Sequence, residues 1–149
     1  MKPNNNKMSV FKKVFFVLLA LDFIGLVVTG INLFPMFRRL AGYGQLMLIV
    51  ASVMVVMAVA VLMLEILAKI LLIRSTSPAF SWSSGRKGCV AAAILVLLFN
   101  LGAILVNMLS AGGEGATLIN QGYLYLRVLA SVAEIVTAIF YLRAVKRLA

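Results

Sequence analysis

The stretch LMLIVASVMVVMAVAVLMLEILAKILLI, residues 46–73, contains twenty-eight residues and only two charged side chains, Glu65 and Lys69. A helix that crosses the hydrocarbon core of a bilayer needs about 20 apolar residues, so this stretch is long enough to span a membrane. Its two charges are four residues apart and therefore share one face of a helix. Because a charge in hydrocarbon is costly, we expect them to pair with each other at an intermediate depth.

Three further apolar runs have a similar length, and breakers separate them. Pro35 is expected to end the first run, and the glycine-rich stretch AGGEG (residues 111–115) follows the third. The predicted helices span residues 14–34, 46–73, 89–110 and 123–142. The sequence thus predicts an all-α fold: an integral membrane four-helix bundle that forms a single transmembrane domain over residues 1–149.

The composition supports a membrane protein. Hydrophobic residues make up 64% of the 149 residues and charged residues only 12%, whereas an ordinary soluble domain is about half apolar and about a quarter charged. Histidine is absent and Cys89 is the single cysteine. These counts exclude a disulfide framework, a zinc site and a histidine-based catalytic triad within the chain. We predict no cofactor and no metal.

The distribution of basic residues predicts the orientation. Eleven of the fourteen lysines and arginines lie on one side if both termini are cytoplasmic, and the other three are Arg38, Arg39 and Arg127. This bias predicts that both termini are cytoplasmic. The first helix contains Asp22 and no A-x-A cleavage site follows it, so we expect it to remain uncleaved. Because the basic residues flank apolar runs, the net charge of +10 favours anionic lipid headgroups as partners rather than nucleic acid.

The longest cytoplasmic connection is predicted to be residues 74–88, RSTSPAFSWSSGRKG. Phe80 and Trp82 are aromatic rings suited to the headgroup level of a membrane, and Arg86 and Lys87 add positive charge. The loop is interpreted as an interfacial anchor. The alternative is a docking point for another membrane protein or for a second copy of this chain.

The basic loop with the motif AFS (residues 79–81), between the second and third of four helices, resembles a family of small bacterial membrane proteins of unknown function. The resemblance covers residues 64–100. It implies a bacterial origin, in the cytoplasmic membrane, and implies no mechanism. The chain departs from that family because it has no acidic tail after the fourth helix.

Polar and small residues recur at 3- and 4-residue spacing in three of the runs. Such stripes are typical of helix–helix seams in membranes, so we expect Gly25 and Ala103 to lie in close helix contacts. Ionisable residues within apolar helices are also candidate functional residues. The candidate intramembrane site comprises Asp22, Glu65, Lys69, Asn100, Asn107, Arg127 and Glu134.

These observations leave three functions open. The first is an accessory, regulatory or immunity-type membrane component without enzymatic activity, which acts through helix and loop contacts. The second is a small transporter coupled to protons or cations, or a polar-ligand binding protein, that uses Asp22 and Glu134. The third and least favoured is an intramembrane enzyme, because neither a nucleophile motif nor a glycine-rich phosphate loop is present.

Overall fold

A computed structural model of the chain describes residues 5–110 and 118–147, and all regular elements in those ranges are helical. The elements are α1 (Asn5–Leu40), a short 3-10 turn (Ala41–Tyr43), α2 (Gln45–Ser75), α3 (Trp82–Ser110) and α4 (Leu118–Lys146). Each of these four α-helices is long enough and apolar enough to cross a membrane. The predicted all-α fold with four apolar helices is confirmed.

The prediction that Pro35 ends the first helix is wrong. Helix α1 contains Pro35 and continues to Leu40. Proline lacks the N–H that would bond to the carbonyl of Ile31, but the helical bonds on either side are unaffected. Helix breakers are tolerated in apolar helices because an unwound segment would leave further backbone groups unsatisfied.

The connection between α2 and α3 is shorter than the predicted loop of residues 74–88, because α2 extends to Ser75 and α3 begins at Trp82. The Phe80 ring folds back over Gly85, and a Cβ atom at Gly85 would clash with the Phe80 ring. Phe80 also contacts Trp82 edge to face, with 5.2 Å between ring centroids. The glycine therefore permits a compact turn with both aromatic rings half-buried against the bundle.

The helices pack in a closed ring in sequence order, and α1 and α4 share the smallest interface. Tyr141 of α4 contacts Phe15 of α1 and Ser75 of α2. One level further along, Lys69 of α2 contacts Asp22 of α1 and Glu134 of α4. The residue number rises between the two levels in α1 and falls in α2 and α4, so α1 runs antiparallel to both of its neighbours.

Burial is concentrated at one end of the bundle. Among the described side chains, every buried residue except Ala51 lies in residues 5–22, 65–75, 82–100 or 131–146, which we call the tight half. Its core contains small residues such as Ala92, Ala93 and Ala138, which allow helices to approach closely. In the remainder, the open half, α2 is apolar on all sides and leaves large side chains exposed.

Aromatic residues fill the tight half. The rings of Phe11 and Phe15 both meet Tyr141 edge to face, with centroids 5.7 Å away in each case. The hydroxyl oxygens of Tyr141 and Ser75 are 2.6 Å apart, and Ser75 Oγ donates to the carbonyl of Leu72. Because Ser75 uses its only hydroxyl hydrogen on that carbonyl, Tyr141 is the donor to Ser75.

Replacement of Tyr141 by alanine should destabilise the fold by about 3–5 kcal/mol, because it leaves a large cavity at a fully buried position. The measurement is the free energy of unfolding in mild detergent. Tyr125→Ala is the matched control on the same helix, since Tyr125 is 71% exposed, and it should change stability by less than about 0.5 kcal/mol. Equal losses for the two variants would contradict this packing.

Candidate functional site

The Lys69 ammonium is the centre of a polar cluster inside the bundle. It hydrogen-bonds to carboxylates on two other helices, Asp22 of α1 and Glu134 of α4. It also lies 3.5 Å from Glu65, one turn earlier on its own helix. The Lys69 side chain is completely buried, while Asp22 and Glu65 keep 12% and 14% of their side-chain surface exposed. One cation thus joins three helices through three acids.

Asn100 brings the fourth helix into the same network. Its amide nitrogen donates to Glu65 Oε1 over 2.9 Å, to Glu134 and to the carbonyl of Val96 over 2.8 Å. An amide group carries two hydrogens, so they are shared among three acceptor oxygens. We call Asp22, Glu65, Lys69, Asn100 and Glu134 the central cluster.

The charges of the central cluster do not balance. Ligand oxygens of Asp22, Glu65 and Glu134 lie within 4.8 Å of one another, and carboxylates at such distances repel each other. Lys69 neutralises one of the three. The five residues of the cluster therefore carry a net charge of −2 when all three acids are ionised, before the neighbouring Arg127 is counted, and this excess favours a proton or another cation.

A cavity of about 320 Å³ lies directly against the cluster. Its polar lining consists of Asp22, Glu65, Asn100, Arg127, Ser131 and Glu134. Gly25, Leu62 and Ala103 are also in its wall and belong to the open half. The cavity therefore extends from the cluster into the open half, whereas the aromatic and alanine-rich core closes the tight half.

No neighbouring helix fills the space in which a side chain at Gly25 would lie, contrary to the expectation from the small-residue stripe. No heavy atom from outside its own helical surroundings lies within 4 Å of a Cβ atom built there. Ala103 also faces the cavity. At this level the small residues border a space between the helices rather than a close contact of their side-chain positions.

Arg127 lies on the cavity wall, seven residues before Glu134 on α4. It interacts electrostatically with Asp22 across the space between α1 and α4. The cavity is thus lined both by the acids of the central cluster and by the guanidinium-bearing Arg127 of the open half. Six of the seven residues of the predicted intramembrane site border this cavity or belong to the cluster, and the side chain of Asn107 lies outside the described part of the chain.

Lys69 makes more contacts than the sequence pattern predicted. It predicted a local pair between Glu65 and Lys69, but the ammonium is also bonded to Asp22 and Glu134. Helical side chains point towards the N-terminus of their helix, so the long lysine stem carries its charge back towards the level of Glu65. Ser131 is buried on the cavity wall. The sequence did not predict it as a site residue, because an isolated serine in an apolar run gives no distinctive pattern.

The candidate loop residues lie at the far end of the tight half, away from the cavity. Phe80 and Trp82 pack against its core. Arg86 is half-buried and Lys87 is exposed on the following turns of α3. The structure therefore separates two sets of candidate residues: one inside the bundle and one at its surface.

Comparison of this chain with protein-family models, curated proteins and solved structures finds no match. The resemblance of residues 64–100 to small bacterial membrane proteins stays a prediction. The functional argument consequently rests on the cluster and its cavity.

Replacement of Lys69 by methionine should destabilise the fold by about 3–5 kcal/mol, because it leaves buried carboxylates without their cation. Adding Glu134→Gln should recover part of the loss, so the two changes should be less than additive. Unfolding free energies in detergent provide the measurement, with Lys12→Met as the exposed control. Full additivity would show that Lys69 and Glu134 do not interact.

Proposed function

We propose that the protein is an integral membrane protein with both termini in the cytoplasm. The four helices of sufficient length and apolarity support insertion, and the bias of basic residues supports the orientation. In this orientation the tight half faces the cytoplasm, and the cavity faces the opposite side. A bacterial cytoplasmic membrane is the proposed location.

Cysteine labelling tests this orientation. Ser84→Cys should react with a membrane-impermeant thiol reagent from the cytoplasmic side only, and Gly42→Cys from the opposite side only, since both positions are exposed at opposite ends of the bundle. The parent chain is the control, because its only cysteine, Cys89, is buried. Reaction of both variants from the same side would overturn the topology.

We propose that the central cluster binds small cations or protons and couples their movement across the membrane. The observation that carries this proposal is the cavity: a space of about 320 Å³ borders all three acids of the cluster and continues along residues of the open half. Lys69 acts as a tethered cation that holds the acids together when no other cation is present. An entering cation or proton competes for the same carboxylates, and this competition weakens the bonds between helices.

Weaker bonds between the helices allow the central cluster to become accessible from the cytoplasmic side. The Lys69 bonds to Asp22 and Glu134 join α2 to α1 and α4. A ligand that replaces these bonds changes the relative free energies of two packings of the same helices, which is what population shift requires. The carboxylates have a binding role here and no catalytic one.

Proton–cation exchange in reconstituted vesicles tests this function. Vesicles with an acidic interior and an internal pH dye should lose protons when Na⁺ or guanidinium is added outside, because the cation exchanges for protons at the carboxylates. Asp22→Asn and Glu134→Gln should reduce the rate by at least about tenfold if each carboxylate is required. Identical rates for wild-type and protein-free vesicles would eliminate the exchange function.

Filling the cavity provides a variant that leaves all charges in place. Gly25→Leu should block exchange, because the new side chain enters the cavity. Gly30→Leu on the same helix is its matched control, since a Cβ atom there also meets open space and Gly30 does not line the cavity. Unaltered exchange in Gly25→Leu would show that the cavity is not the route.

The second candidate function is the accessory membrane component. It is favoured by the complete hydrogen bonding of the cluster, since no buried side-chain polar atom in the described part of the chain lacks a partner. A fully satisfied network could serve only to hold four helices together. In that case the neutral variants should retain cellular activity, and purification in mild detergent should bring down a partner protein.

A further inference from the structure

A second candidate binding site lies on the outer face of α3. A shallow groove of about 430 Å³ is lined by Arg86, Lys87, Val90, Ala91 and Ile94. Buried residues of α3, among them Cys89, Ala93 and Val96, lie on other faces of the helix and form the core. The groove thus faces away from the bundle, towards the surroundings of the helix.

The groove carries positive charge that no described acid balances. Of the four acidic residues in the chain, Asp22, Glu65 and Glu134 belong to the central cluster, and Glu114 lies outside the described residues. No described carboxylate pairs with Arg86 or Lys87. Charge complementarity therefore favours an anionic occupant.

The remaining lining is apolar and continues along the helix. Ala91 leaves room in the groove, and Ile94 lies about two turns beyond Arg86. The same side of α3 then presents Leu98 and Leu101, which are 59% and 44% exposed. An occupant that matches this surface has an anionic head at the basic end and a hydrocarbon chain along the helix.

We propose that this groove binds an anionic phospholipid, with the phosphate between Arg86 and Lys87 and an acyl chain along Val90, Ala91 and Ile94. Both cations donate to phosphate oxygens, and arginine can do so with two parallel bonds. The proposal rests on membrane insertion and is independent of what the cavity binds. A free phosphate ion would use the two cations but not the apolar groove.

Trp82 provides a built-in reporter, because it is the only tryptophan in the chain and lies one turn before Arg86. The purified full chain is placed in micelles with phosphatidylglycerol or phosphatidylcholine brominated at the carbons nearest the headgroup. Bromine quenches tryptophan fluorescence at short range. We expect stronger quenching by the anionic lipid at equal mole fraction, with no reversal by millimolar inorganic phosphate.

Three variants locate the lipid. The preference for the anionic lipid should fall about fivefold for each cation removed in Arg86→Gln and Lys87→Gln, given the attraction of a single basic residue to anionic lipid. Ala91→Phe fills the groove at an exposed position and should also reduce the preference for the anionic lipid. Arg143→Gln with Lys146→Gln removes two cations from the end of α4 and should leave the preference unchanged.

Each alternative result overturns the proposal. Equal quenching by the two lipids would show that the site does not select anionic lipid. Reversal by phosphate would indicate a site for free anions, and an equal loss in the α4 variant would indicate attraction by overall charge. Helical content measured by circular dichroism verifies that each variant is folded, and a loss of lipid preference with intact proton–cation exchange would leave the proposed function standing.

Discussion

An ammonium group removed from water must be surrounded by acceptors, and the burial of Lys69 imposes this requirement on the whole bundle. Its side chain is completely buried, and carboxylates from α1, α2 and α4 meet it. The loss of hydration is offset only while those helices hold their registers. Asn100 extends the network to α3. The position of one lysine thus fixes the relative heights of four helices that otherwise present interchangeable apolar surfaces.

The cluster also lies at the boundary between two kinds of packing. On one side, small residues and the rings of Phe15 and Tyr141 fill the interior. On the other side, Gly25 and Ala103 border a cavity. A charged cluster that borders a cavity of about 320 Å³ differs from one enclosed on all sides by packed side chains. The proposal of cation or proton coupling rests on this difference between the two sides of the cluster.

The sequence predicted the four helices because long apolar runs leave few alternatives to membrane helices. It also identified the polar residues, since each charge within such a run is conspicuous. The depth of Glu65 in a membrane does not follow from the sequence, because either end of its twenty-eight-residue apolar run can be the membrane boundary. The three-way sharing of Lys69 depends on the rotation of each helix about its axis, which periodicity restricts but does not determine. The surroundings of Gly25 differ from the expected ones for the same reason. A stripe of small residues can border either a helix contact or an empty space, and the sequence does not distinguish the two.

The two candidate surfaces have separate physical origins. The central cluster arises from charges that the bundle encloses, and the α3 groove from charges that no described acid balances. Arg86 and Lys87 lie at the start of a helix whose exposed face is apolar. Such a position matches the boundary between headgroups and hydrocarbon chains. One surface therefore faces the interior of the bundle, and the other faces the surroundings of the bundle.

The proposed coupling requires that water reach the cluster through the open half and not through the tight half. Cysteine accessibility in sealed vesicles of known orientation measures this directly, with the parent chain and its buried Cys89 as background. Gly25→Cys should react with a membrane-impermeant cationic thiol reagent only from the side of the Ala41–Tyr43 turn. Ala93→Cys, fully buried in the tight half, should not react from either side. An inert Gly25→Cys, or an Ala93→Cys that reacts as fast, would contradict the account.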